Sequence, residues 1–149
     1  MNIKRELYSY CQDYVKDKLK TIEDTIKSSQ NALESETKSS AGDKHETGRA
    51  MLQLEMEKAG QQLKVVSEMK LKLDRLDIDF VSKNIRLGSV VFTSQANYFI
   101  AISSGKIEID KTVFFAISSD SPIGKLLLGK EVNDEVVFRE QPIRIENIL

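Results

Sequence analysis

The sequence predicts an α+β protein. A long antiparallel helical hairpin (a coiled coil) occupies residues 1–80, and a small antiparallel sheet with one helix occupies residues 84–149. Three observations predict this. Apolar residues recur at steps of three or four on both sides of a polar turn, Ser39–Gly48. Near Asn84 the apolar period falls to two. The segment Ser121-Pro122-Ile123-Gly124-Lys125-Leu126-Leu127-Leu128-Gly129 then carries start and stop signals for one short helix.

The first helix is marked by Ile3, Leu7, Cys11, Val15, Leu19, Ile22, Ile26 and Leu33, with Tyr10 and Tyr14 on its flank. No Pro or Gly interrupts it before Gly42. The stripe thins after Ile26, where Ser28, Ser29, Gln30 and Asn31 are polar and weak helix formers, so this stretch is expected to be looser. The second helix restarts after Gly48 with Leu52, Met56, Ala59, Leu63, Val66, Met69, Leu73, Leu76 and Phe80 at the same spacing. Leu54, Val65, Leu71 and Ile78 fall off that stripe. Two helices joined by a short turn run antiparallel and bury their stripes together. At 1.5 Å rise per residue, roughly 35 residues reach about 50 Å.

The strands are read at Val90–Phe92, Tyr98–Ile102, Lys106–Asp110, Thr112–Ile117, Glu135–Arg139 and Ile143–Ile148, the last two turned at Gln141-Pro142. In the intervening helix, Ser121 suits the N-cap, Pro122 the first helical position and Gly129 the residue past the end. No Gly/Ser-rich linker separates hairpin from sheet, which predicts a stiff junction at about Phe80–Arg86.

Composition narrows the function classes. Of 149 residues, 22 are Lys or Arg and 23 are Asp or Glu, a formal net charge of -1. Sequence-specific or bulk DNA binding would ordinarily require a basic surface. The single Cys11 lies on the apolar stripe, where it reads as packing, and one cysteine forms neither an internal disulfide nor a zinc cluster. There is neither a signal-peptide pattern nor an apolar run long enough to span a membrane, so a cytoplasmic location is expected.

The chemistry-bearing motifs are few. With His45 alone, no HExxH zinc site is possible. The Gly-Lys pairs at 105–106, 124–125 and 129–130 lack the following Ser or Thr of a phosphate-binding loop, and GxGxxG is absent. What remains is Asp43 and Glu46, three residues apart at the start of the second helix and so on nearly one face. Two readings stand side by side. The pair forms a capping box, with Asp43 as N-cap and Glu46 at N3. Alternatively, it offers two hard oxygen ligands to a cation such as Mg²⁺, whose shell another molecule must complete.

Two motifs carry a family resemblance. Gly42-Asp43-Lys44-His45-Glu46 resembles the Gly-Asp-x-x-Glu tip of the bacterial Gre-type transcript cleavage factors. Ser121–Lys130 is similar to that family's Ser-Pro-[Ile/Leu]-[Gly/Ala]-[Arg/Lys]-Ala-Leu-[Leu/Ile]-Gly-Lys segment, and Val132-Asn133-Asp134-Glu135-Val136 to the Val-Gly-Asp-x-Val that follows it. The resemblance implies a coiled coil followed by an FKBP-like domain. It implies bacterial RNA polymerase as partner, the coiled coil in its secondary channel and the globular part on the channel rim, with Asp120, Ser121 and Pro122 as docking residues. It also implies that Asp43 and Glu46 help hold a second Mg²⁺, present only in the complex, which activates water against a backtracked transcript near its 3′ end. On this reading the protein is not itself an enzyme but a cofactor of the polymerase's own cleavage reaction. The family usually continues Glu-Asn-x-Glu-Tyr after the tip, whereas this chain reads Glu46-Thr47-Gly48-Arg49-Ala50. The alternative is a non-catalytic channel-binding regulator. A peptidyl-prolyl isomerase or chaperone is a third reading, disfavoured by the absence of Trp.

Overall fold

The computed structural model describes the backbone of residues 2–38 and 43–149, and the side chains of 2–35 and 46–149. Two long helices, α1 (Ile3–Lys38) and α2 (Asp43–Asp74), precede six strands and one short helix. The strands are β1 (Val90–Thr93), β2 (Asn97–Ala101), β3 (Gly105–Ile109), β4 (Thr112–Ser118), β5 (Glu135–Phe138) and β6 (Gln141–Ile148), and α3 spans Pro122–Leu127. The chain divides into two compact units, one of Val15–Lys70 and one of Met1–Tyr14 with Leu71–Leu149.

The first unit is the antiparallel helix pair. Its burial follows the apolar stripes. Val15 and Ile22 of α1 and Ala59 and Val66 of α2 are buried, with Leu19, Ile26, Leu52, Met56, Leu63 and Met69 half-buried between them. The off-stripe Leu54 and Val65 are exposed. Each fully buried aliphatic side chain is worth roughly 1.5–3 kcal/mol, so the stripe, not helix propensity, holds a pair of this length together. The polar stretch of α1 also keeps the period, with Ser29 taking the buried position.

The second unit is a six-stranded sheet of order β3-β4-β2-β1-β6-β5. All six expected strands are present, but the sheet is mixed rather than antiparallel. β2 and β4 pair in parallel, with Tyr98 opposite Phe115 and Ile100 opposite Ile117. The short connection 102–104 carries the chain past the end of β4 into the edge strand β3. A hairpin at Asp110-Lys111 then returns it between β2 and β3, which forces β4 parallel to β2. One face packs under α3: Val91, Ile100, Val136, Ile143, Ile145 and Ile148 meet Ile123 and Leu127. Phe99 and Phe114, on the opposite face, are also fully buried. The helix ends belonging to this unit bring in Leu7, Cys11 and Leu73, equally buried, and Cys11 Sγ lies 3.6 Å from Ser104 Oγ.

Two further expectations are corrected. The β5–β6 turn lies at Arg139-Glu140, both left-handed with φ of 50° and 67°, and not at Gln141-Pro142. Pro142 instead pairs with Val137 inside the ladder. The two-residue turn makes Phe138 and Gln141 the closing hydrogen-bonded pair. Val137 and Pro142 are therefore a non-bonded pair, where a missing N–H costs no ladder bond. The second correction concerns α2, which ends at Asp74 and does not carry its stripe to Leu76 and Phe80. Arg75 N and Leu76 N close tight turns on Lys72 O and Leu73 O. Asp77 Oδ1 then accepts from Asp79 N, a local bond that competes with helix. Phe80 is exposed, with the Arg86 guanidinium 4.6 Å above its ring.

Candidate functional site

The tip and the β4–α3 loop are the two candidate places. At the tip, α2 begins at Asp43, so Asp43 and Glu46 occupy positions three apart in its first turn. Residues 39–42 and the side chains of Asp43, Lys44 and His45 lie outside the described residues, and so do the capping geometry and any metal geometry there. Glu46 is described and exposed to solvent. The following Gly48 is half-buried and helical, so α2 runs continuously through Thr47–Ala50. Among the described residues no cluster of three or more His, Cys, Asp or Glu is placed to hold a metal ion.

The β4–α3 loop is built from hydroxyls. Ser118 N donates to Ser103 Oγ at 3.1 Å, and Ser118 Oγ accepts from Asp120 N at 3.1 Å. Ser118 O accepts from both Ser121 N at 3.1 Å and Ser121 Oγ at 2.6 Å. Ser121 is the N-cap of α3: its backbone is extended and its Oγ accepts from Gly124 N at 3.1 Å. Pro122 follows at the first helical position. Gly124 is buried for a steric reason, because a Cβ there would overlap the Ser118 carbonyl oxygen and sit 2.9 Å from Ser121 Oγ. The helix closes with Leu128 N on Gly124 O at 3.0 Å, and Gly129 takes a left-handed φ of 81°. Gly129 N then donates to Ile85 O, and Ile85 N to Lys130 O, each at 2.8 Å.

This construction separates the roles of the three expected docking residues. Ser121 spends its hydroxyl inside the loop. Asp120 and Pro122 are exposed. The Asp120 carboxylate accepts from Lys72 Nζ at 3.1 Å, in a pair open enough to water to be worth little in stability, on the order of 0–1 kcal/mol. Lys72 was not a candidate in the sequence. It lies 48 residues away on the last turn of α2, and no local pattern links the two.

The junction carries one buried cation. Lys4 is buried and donates to Phe80 O at 2.9 Å. Burial first, and the Arg86 charge second, push its ammonium below its ordinary value, against Asp77 and Asp79, which hold it up. Cys11 is fully buried, and burial pushes its thiol up despite the contact with Ser104, which marks it as packing and not as a nucleophile.

No protein-family model matches the sequence, and no curated protein sequence matches it. Among the described residues, no helix is long and apolar enough to cross a membrane.

Proposed function

We propose that this chain is a Gre-like RNA polymerase secondary-channel factor, which stimulates hydrolysis of backtracked transcripts by supplying Asp43 and Glu46 to a second Mg²⁺ at the polymerase active centre. The observation that carries the reading is the pairing of two elements in one chain. Two helices of 36 and 32 residues flank a sequence that carries the Gly-Asp-x-x-Glu motif. A Ser-Pro-Ile-Gly helix, capped by Ser121 and tightened by Gly124, presents Asp120 and Pro122 to solvent.

The chemistry follows from that pairing. At 1.5 Å per residue, helices of 36 and 32 residues are each about 50 Å long, the length of arm that such delivery needs. Two carboxylates alone hold Mg²⁺ weakly, so the site is completed only by the polymerase's own ligands and the transcript phosphate. Asp43 and Glu46 would hold the visitor's share of that ion, which would supply the positive charge that activates water for hydrolysis of the transcript. Asp120 and Pro122 then fix the globular part on the channel rim. The isomerase reading is weaker, because the large aromatics Phe99 and Phe114 are spent in the core.

A second reading is favoured by one feature of the sequence. Thr47-Gly48-Arg49-Ala50 replaces the family's Asn-x-Glu-Tyr, which leaves out one carboxylate and brings in a cation beside the tip. A regulator that docks in the channel without promoting cleavage fits that change. Release of short 3′ fragments from a stalled, backtracked complex of cognate polymerase separates the two. The catalytic reading predicts release on addition of the protein, and the regulatory one predicts polymerase binding and altered promoter output without release.

A further inference from the structure

The helix pair contains a groove of about 380 Å³ that the proposed function does not use. Thr21, Thr25, Ser28 and Ser29 line it, together with Asp24 and Glu55. Its donors and acceptors are unequal. Thr21 Oγ1 donates to Asp17 O and Thr25 Oγ1 to Thr21 O, each at 3.0 Å, so both hydroxyls have spent their protons and keep only acceptor lone pairs. Ionised Asp24 and Glu55 have no proton to donate and serve as acceptors alone, and neither has an ion-pair partner among the described residues.

Ser29 is the independent observation. It is 4% exposed, at a position where the stripe wants an aliphatic residue, and among the described residues its hydroxyl has no hydrogen-bond partner. A buried hydroxyl without a partner costs free energy that an alanine would not, unless something in the groove satisfies it. Ala32 and Leu52 complete the lining and give it an apolar wall.

We infer that this groove binds an organic cation bearing a primary ammonium on an alkyl chain. The acceptor-only hydroxyls and two carboxylates take N–H donors and positive charge, and Ala32 and Leu52 take methylenes. A linear diamine matches the charge of both carboxylates, while a lysine side chain of a partner presents the same group singly. This inference stands apart from the polymerase reading and holds or fails on the free protein.

The test is an NMR titration of the isotope-labelled full chain with putrescine, with N-acetyl-lysinamide, and with tetramethylammonium, which carries charge but no N–H donor. Saturable amide shifts at Thr25–Ser29 and Leu52–Glu55 are expected with the ammonium compounds and not with tetramethylammonium. Putrescine binding more tightly than the lysine analogue identifies a free diamine as the source, and equal binding identifies a side chain. The Asp24→Asn/Glu55→Gln variant is expected to weaken binding by about five- to tenfold. Ser29→Ala, which keeps the helix, is expected to weaken it too. Non-saturating shifts, equal shifts with tetramethylammonium, or full affinity in the double variant overturns the inference.

Discussion

Gly124→Ala is the substitution that the β4–α3 loop is least able to accept. Gly124 is not among the glycines with a left-handed φ, so the requirement is for space and not for backbone freedom. An added Cβ meets the Ser118 carbonyl oxygen, a backbone atom already holding Ser121 N and Ser121 Oγ, and lies 2.9 Å from Ser121 Oγ itself. Relief requires the loop to move, which breaks the cap. Overpacking costs about 1–3 kcal/mol, and losing an N-cap hydroxyl costs about 1 kcal/mol. Alanine's better helix propensity returns up to about 1 kcal/mol. The net expectation is a loss of about 2 kcal/mol, read as a lower urea midpoint at unchanged slope. Ser121→Ala, which removes the cap without the clash, is expected to lose about 1 kcal/mol. Gly124→Ala at or above wild-type stability would refute the steric account of this motif.

Other expectations follow from single contacts. Cys11, buried and with its thiol pushed up, is expected to react with a thiol reagent only at the rate of unfolding, so native protein labels slowly and urea-unfolded protein at once. Lys4 has its ammonium lowered from the ordinary 10.5, so between the lowered value and 10.5 the unfolded chain binds more protons than the native one. Stability from this group therefore rises with pH across that window, and wild type should gain on Lys4→Met in alkaline denaturation series. The Arg139-Glu140 turn holds two non-glycine residues at positive φ. Arg139→Asn/Glu140→Gly supplies residues suited to that geometry and is expected to stabilise by about 1 kcal/mol in thermal or urea unfolding.

What the sequence made legible was periodic or chemically punctuated. Leu7, Val15, Ile22, Ala59, Val66 and Leu73 declare their burial by recurring every three or four residues. Ile107 and Ile109 declare theirs by alternating with Lys106 and Glu108. Ser121, Pro122 and Gly129 each act through local backbone chemistry, so α3 was readable residue by residue. What escaped was set by other forces. The parallel β2–β4 pairing depends on which strand edge a short connection reaches, and no strand encodes that alone. The turn at Arg139-Glu140 lacks the glycine or asparagine that signals positive φ, while Pro142 beside it signals a turn it does not make. The end of α2 at Asp74 was hidden because Leu76 and Phe80 continue the apolar period after hydrogen bonding has stopped. At the β4–α3 loop, Asp120 and Pro122 were named from a motif resemblance, whereas the contacts of Asp120 with Lys72, 48 residues away, and with Ser118 through its backbone N–H follow from no local pattern.

The central claim is that the tip carboxylates complete a metal site in another protein, and transcript cleavage tests it most directly. A stalled, backtracked elongation complex with cognate polymerase and Mg²⁺ is incubated with wild type or with Asp43→Ala/Glu46→Ala, and short 3′ fragments are followed over time. The account predicts rapid release with wild type, and release at the polymerase's own slow rate with the double variant while polymerase binding is retained. Equal release rates with the two proteins would contradict it.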